Sequence, residues 1–324
     1  MNDREKTIEK LERFAQNKGL SYSKIANMIG IGGSTLSEIR KGTYKGQMEE
    51  YLMKIEDFLE RHKSGMKRIT FSANTEVKRK IFFAIDTIKK YVASNAANEI
   101  LGSAKIAYII GRAGIGKTHS LQEYRRIYGA KILFITAENG DNATVMMRKI
   151  ARELKMDHKK RVYDLKEEIK TRLKFTETII IIDESEHLTA KVIDNIRAIV
   201  DQTGIGLVLS GTEKLRHQIT GLRGEYEYLY SRAVIWMLLS ELKIEDVDAI
   251  FRKFINDDLH YYKEEQIVKI VSYLYKESKG SARILENLLG MVTLLINEGE
   301  NFEKTGGLIN MDYLKAASRM ISTI

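Results

Sequence analysis

The chain has 324 residues, 44% of them hydrophobic, enough for a packed core and for about two domains of ~150 residues. Cysteine is absent, which excludes disulfides and thiolate metal sites and fits a reducing, cytoplasmic setting. No run of about 18 apolar residues occurs and the first residues are charged, so neither a membrane-spanning segment nor a secretory leader is expected, while 53 basic against 44 acidic residues (net +9) favour polyanionic partners.

Residues 4–17 carry Ile8, Leu11 and Ala15 at helical spacing. Tyr22 to Ile29 follows as a short amphipathic helix, then a glycine turn at residues 30–33. A second helix is expected to begin with Ser34 as its N-cap and to end near Lys41. Ala26 is small where two helices must cross, and Ile31, Leu36 and Ile39 supply the shared core. The pattern resembles the repressor and Cro type of helix-turn-helix, whose second helix enters the major groove. That resemblance makes Thr35, Ser37, Glu38, Arg40 and Lys41 candidates for DNA contact, with Lys45 facing phosphate. Few side chains on this helix can pair bidentately with bases, so affinity with little sequence preference is expected. A helix from Met48 to Arg61 closes the module, and residues 62–68 read as a basic linker.

Residues 75–101 form a helical stripe (Val77, Ile81, Ile85, Ile88, Val92) leading to the strand Ile106 to Ile110. That strand breaks into Gly111-Arg112-Ala113-Gly114-Ile115-Gly116-Lys117-Thr118, followed by His119, a full match to G-x-x-x-x-G-K-[ST]. The glycines let successive N–H groups turn inward on phosphate oxygens, and the helix starting near Lys117 adds its positive end. Lys117 is expected to reach the outer phosphates and Thr118 to ligate Mg²⁺, making ATP with Mg²⁺ the expected cofactor. A second strand, Lys131 to Thr136, precedes a strand-end loop and a helix that carries Arg148 and Lys149, two further candidates to line a polyanion path. Four isoleucines at 179–182 followed by Asp183 and Glu184 have the form of a Walker B element. Asp183 would hold Mg²⁺ and Glu184 would polarise the attacking water. Glu186 and His187 read as an exposed turn. A fourth strand, Gly206 to Thr212, ends in small polar residues, and a fifth runs from Ala233 to Met237. From Glu241 the pattern turns helical, and Gly280-Ser281-Ala282-Arg283 opens a long apolar helix. A last amphipathic helix carries Leu314, Ala317, Met320 and Ile321.

In this order the pieces resemble the MuB-like group of AAA+ transposition target-selection ATPases, with TnsC and IstB as more distant relatives. The resemblance rests on the amino-terminal module ending in TYKG, on GRAGIGKTHS, IIIIDESEHL, LVLSGT and YLYSRA, and on GSARILENLL. It implies an α/β fold: an AAA+ P-loop NTPase with a parallel sheet flanked by helices, an all-α helix-turn-helix module and a helical lid. The expected segments are residues 1–66, 67–238 and 239–324. It further implies that Thr212 or Ser210 fills the sensor 1 position and that Arg283 acts as sensor 2. Arg232 would be an arginine finger acting on a neighbour's nucleotide, with Arg223 as its rival. The implied function is ATP-dependent, sequence-tolerant binding of double-stranded DNA by a helical self-assembly in a bacterial host cytoplasm. That assembly would deliver target DNA to a DDE transposase, and hydrolysis would take it apart. A helicase loader and an ATP-switched helix-turn-helix regulator are the alternatives.

Overall fold

Five apolar runs line up as one parallel sheet in the computed structural model, which describes residues 3–18, 20–61, 72–102, 104–221, 226–297, 301, 305 and 307–321. Strands β1 (Lys105–Ile110), β2 (Ile132–Thr136), β3 (Ile179–Asp183), β4 (Gly206–Gly211) and β5 (Ala233–Leu238) stand in the order β2-β3-β4-β1-β5. All four ladders are parallel. Parallel pairing requires crossovers, and the crossover helices cover both faces, so β3 and β4 are buried along their whole length. Each of the isoleucines at 179–182 is buried, at about 1.5–3 kcal/mol for full burial of such a side chain.

One face of the sheet presents Tyr108, Ile180, Ile182, Leu207 and Leu209. These share a core with Met146 of α7 (Ala143–Glu153), Leu165 of α8 (Val162–Leu173) and Ile196 of α9 (Ala190–Thr203). On α5 (Glu76–Ala97), Ile81, Ile85, Ile88 and Val92 are fully buried, and α6 (Lys117–Tyr128) buries Leu121 and Tyr124. The helix starts are set by short polar side chains. Thr75 accepts the Lys78 N–H at 3.2 Å and Asn142 accepts that of Val145 at 3.1 Å. α10 (Glu213–Thr220) and α11 (Glu227–Tyr230) link β4 to β5, and α12 (Ile244–Phe254) follows. The buried Asp246 ties the entry of α12 to that of α5, accepting the Glu76 N–H at 2.7 Å and the Lys243 N–H at 3.1 Å.

Residues 72–250 with 279–283 form one compact unit. The described residues before 72, from 251 to 278 and after 283 form the other. In the second, α1 (Asp3–Lys18), α2 (Tyr22–Ile29), α3 (Gly33–Lys41) and α4 (Met48–Arg61) enclose Leu11, Ile25, Ala26, Leu36, Ile39, Ile55 and Phe58. Gly32, not Ser34, is the N-cap of α3, because the Leu36 N–H already bonds to the Gly32 carbonyl at 3.0 Å. The same unit holds α13 (Glu264–Ser278), most of α14 (Ala282–Ile296) and α15 (Met311–Ile321). On α15 Leu314 and Ala317 are buried, whereas Met320 points outward at 59% exposure. The basic linker at residues 62–68 lies outside the described residues. Among the described residues no helix is long and apolar enough to cross a membrane.

Candidate nucleotide site

β1 delivers the chain into the loop Gly111–Gly116 at the carboxyl edge of the sheet, where α6 begins. Gly114 and Gly116 have φ of +79° and +97°, a left-handed backbone that side-chain-bearing residues rarely adopt. Ile115 turns inward and is buried, while Arg112, Ala113, Thr118 and His119 are exposed around the loop. Arg112 forms an ion pair with Glu241. Lys117 is 7% exposed and folds back on the loop, donating from Nζ to the carbonyls of Gly111 at 2.7 Å and Arg112 at 2.9 Å. Burial lowers its pKa, against the supporting charges of Glu186, Asp183 and Glu184.

The end of β3 meets this loop. Asp183 is fully buried, and both carboxylate oxygens are engaged: Thr118 Oγ1 donates to Oδ2 at 2.6 Å and Ser210 Oγ donates to Oδ1 at 2.9 Å. A hydroxyl and a carboxylate in contact at a phosphate loop are the hard oxygen donors that Mg²⁺ takes, so the donor set fits that ion. Glu184 follows with φ +54° and ψ +36°, a left-handed non-glycine residue of the sort concentrated at functional sites. Burial and the neighbouring Glu186 and Asp183 raise its pKa. Arg283 adds its backbone to the site, its N–H donating to the Gly114 carbonyl at 3.1 Å, and its side chain is exposed.

Other sequence-expected residues are disposed differently. Of the pair offered for sensor 1, Ser210 carries the side chain that reaches Asp183. Thr212 stands two residues on, at the start of α10, and uses its N–H, which donates to Glu186 Oε1 at 3.2 Å. Glu186 does not lie on an exposed turn: it is half-buried with Oε2 fully enclosed, because α10 returns over it and Gln218 Nε2 donates to its main-chain oxygen at 3.0 Å. Nothing in the local sequence signals this, since Gln218 is 32 residues away.

Arg232 is not brought to the loop of its own chain. The parallel register pairs Ile106 with Ala233 and Ile110 with Leu238, so Arg232 stands at the opposite end of the sheet, about 17 Å away at ~3.3 Å per residue. There it donates to the Tyr228 carbonyl at 2.8 Å and lies 3.6 Å from Asp201. Arg223 lies outside the described residues. Among the DNA candidates, Thr35 and Ser37 are half-buried on α3, and Lys41, Lys45 and Arg148 are exposed. Arg40 is engaged within its module, 3.0 Å from Glu12 and stacked 3.3 Å over the Tyr22 ring. Lys149 is likewise held, 2.7 Å from Asp141 and 3.1 Å from the Thr136 carbonyl.

The family model described as "AAA domain" matches residues 100–219. The chain is 27% identical over 313 residues to the "ATP-dependent target DNA activator B" of Escherichia phage Mu, covering 95% of this chain and 93% of that protein. It is 24% identical over 282 residues to the "Mu-like prophage FluMu DNA transposition protein B" of Haemophilus influenzae, covering 86% and 93%. The Aeropyrum pernix ORC2 protein, solved with ADPNP and ADP, superposes with a TM-score of 0.52 at 17% identity, covering 78% of this chain and 70% of that one, and so shares the fold. The chain is an ATPase with an AAA domain at residues 100–219, and along nearly its whole length it is similar to the B proteins of phage Mu and of the FluMu prophage.

Proposed function

We propose that the chain binds ATP with Mg²⁺ between neighbouring copies, assembles as a helical filament on double-stranded DNA with little sequence preference, and delivers that DNA to a DDE transposase. Hydrolysis then dismantles the filament. The observation that carries this reading is the split of the site. Lys117, Thr118, Asp183 and Glu184 gather at one edge of the sheet while Arg232 stands at the other, out of reach of its own phosphates. A site completed only by a neighbour makes nucleotide the link between copies. Mg²⁺, when bound, would supply charge neutralisation to the phosphates. Asp183 and Thr118 hold that ion, Ser210 fixes Asp183, and Glu184 orients the attacking water. Arg283 lies beside the loop on which the phosphates rest. The names of the phage Mu and FluMu relatives, a target DNA activator and a transposition protein, support the DNA and transposase parts of the reading.

On the DNA side, Thr35, Ser37, Lys41, Lys45 and Arg148 are the groups we assign to phosphate contact. Arg40 and Lys149 support the elements that carry them, since their charges are used within the chain. Many weak phosphate contacts summed along a filament give tight, salt-sensitive binding.

The test is complementation. Arg232→Ala is expected to bind ATP like the parent yet lose about 10³-fold in DNA-stimulated turnover, the lower end of an arginine finger's contribution. Mixing it with Lys117→Ala, which keeps its arginine but lacks a working loop, should restore part of that turnover. Full activity of Arg232→Ala alone, or no rescue on mixing, would contradict a site shared between copies.

A further inference from the structure

Glu186 is the carboxylate that the nucleotide site does not otherwise explain. Its Oε1 accepts the Thr212 N–H at 3.2 Å, and its main-chain oxygen accepts Gln218 Nε2 at 3.0 Å. Its Oε2 is buried without a hydrogen-bond partner among the described residues. Leaving a buried acceptor unsatisfied is costly, so its retention calls for a use. The carboxylate is pressed against the end of β4: a Cβ on Gly211 would come within 2.6 Å of Oε2 and 2.9 Å of Leu215. Gly211 in turn accepts the N–H of Gly111, the first residue of the phosphate loop, at 3.1 Å. The residue before it, Ser210, is the one hydrogen-bonded to Asp183.

We propose that Glu186 is a positioning residue for ATP hydrolysis: its carboxylate clamps the Ser210–Gly211–Thr212 end of β4 between the phosphate loop and α10. The clamp holds Ser210 at the hydrogen-bonding position that orients Asp183, and it holds Thr212 where α10 starts. Its charge also supports the Lys117 ammonium against burial. The inference rests on the chain's ATPase activity and is independent of what the DNA is used for.

Loss of the clamp lets the end of β4 move while Lys117, Thr118 and the loop amides stay in place. Turnover therefore falls further than nucleotide affinity. Steady-state hydrolysis and equilibrium binding of a fluorescent ATP analogue, measured on the full chain, separate the two. Glu186→Ala is expected to lower kcat by about 10–100-fold, the usual range for a group supporting a metal site, with nucleotide Kd changed by less than about threefold. Glu186→Gln keeps an acceptor for the Thr212 N–H and should return kcat to within about fivefold of the parent. If Glu186→Ala melts below the assay temperature, Gln218→Ala reads out the same split, with kcat lowered about 3–10-fold at unchanged Kd. Parental turnover in Glu186→Ala, affinity and turnover falling in proportion, a Gln variant no better than Ala, or no split in Gln218→Ala would each overturn the proposal. A parent chain without turnover would instead overturn the ATPase assignment.

Discussion

Replacing Lys117 by alanine should weaken ATP binding by at least about 100-fold and abolish ATP-dependent assembly on duplex. The free chain holds the ammonium ready, folded onto the Gly111 and Arg112 carbonyls at the mouth of the loop. Phosphate oxygens offer it charge-assisted bonds of about 1.5–3 kcal/mol each, and two of them account for a hundredfold or more. The substitution should not unfold the protein. Burial lowers the pKa of Lys117, so at neutral pH its charge weighs against the folded state and its removal relieves that cost. Isothermal titration with an ATP analogue, alongside a melting curve, checks both halves. Near-parental affinity in a well-folded variant would show that the loop amides alone hold the triphosphate.

Glu184→Gln should do the opposite: bind ATP and DNA at parental strength and hydrolyse about 10²–10⁴-fold more slowly, the usual weight of a general base. The side chain projects from a left-handed residue at the end of β3, next to Asp183, and its pKa is raised by burial and by the carboxylates of Glu186 and Asp183. A raised pKa makes it a better proton acceptor than an exposed carboxylate. The variant should therefore trap the nucleotide-bound assembly. Single-turnover hydrolysis of bound ATP measures this step apart from nucleotide exchange, and an unchanged rate would assign the water to another group.

The loop and the strand end that frame the candidate nucleotide site were legible because each is a local pattern with a physical cause. Glycines at 114 and 116 meet a left-handed backbone, and the isoleucines at 179–182 before Asp183 can only be a strand buried on both faces. The parallel sheet follows from strands alternating with helices. Groups whose role depends on distant partners were not legible. Glu186 sits in a charged turn and reads as exposed until α10 covers it. Arg40 is engaged by Glu12, 28 residues away, and by Tyr22, partners that its own helix does not announce. Helix α8 buries Leu165, Ile169 and Leu173 at a spacing of four, a stripe obscured by six charged residues on the same segment. Ser210 and Thr212 are two residues apart and would share a face of a continuous strand, but β4 ends at Gly211 and Thr212 caps α10. Only the first directs its side chain to Asp183.

Negative-stain imaging of the full chain on random-sequence duplex, with a non-hydrolysable ATP analogue, with ADP and without nucleotide, tests most directly whether a triphosphate joins neighbouring copies. Regular helical filaments with the analogue, and none with ADP or without nucleotide, is the expected result. Filaments of equal length in all three conditions, or single molecules throughout, would contradict it.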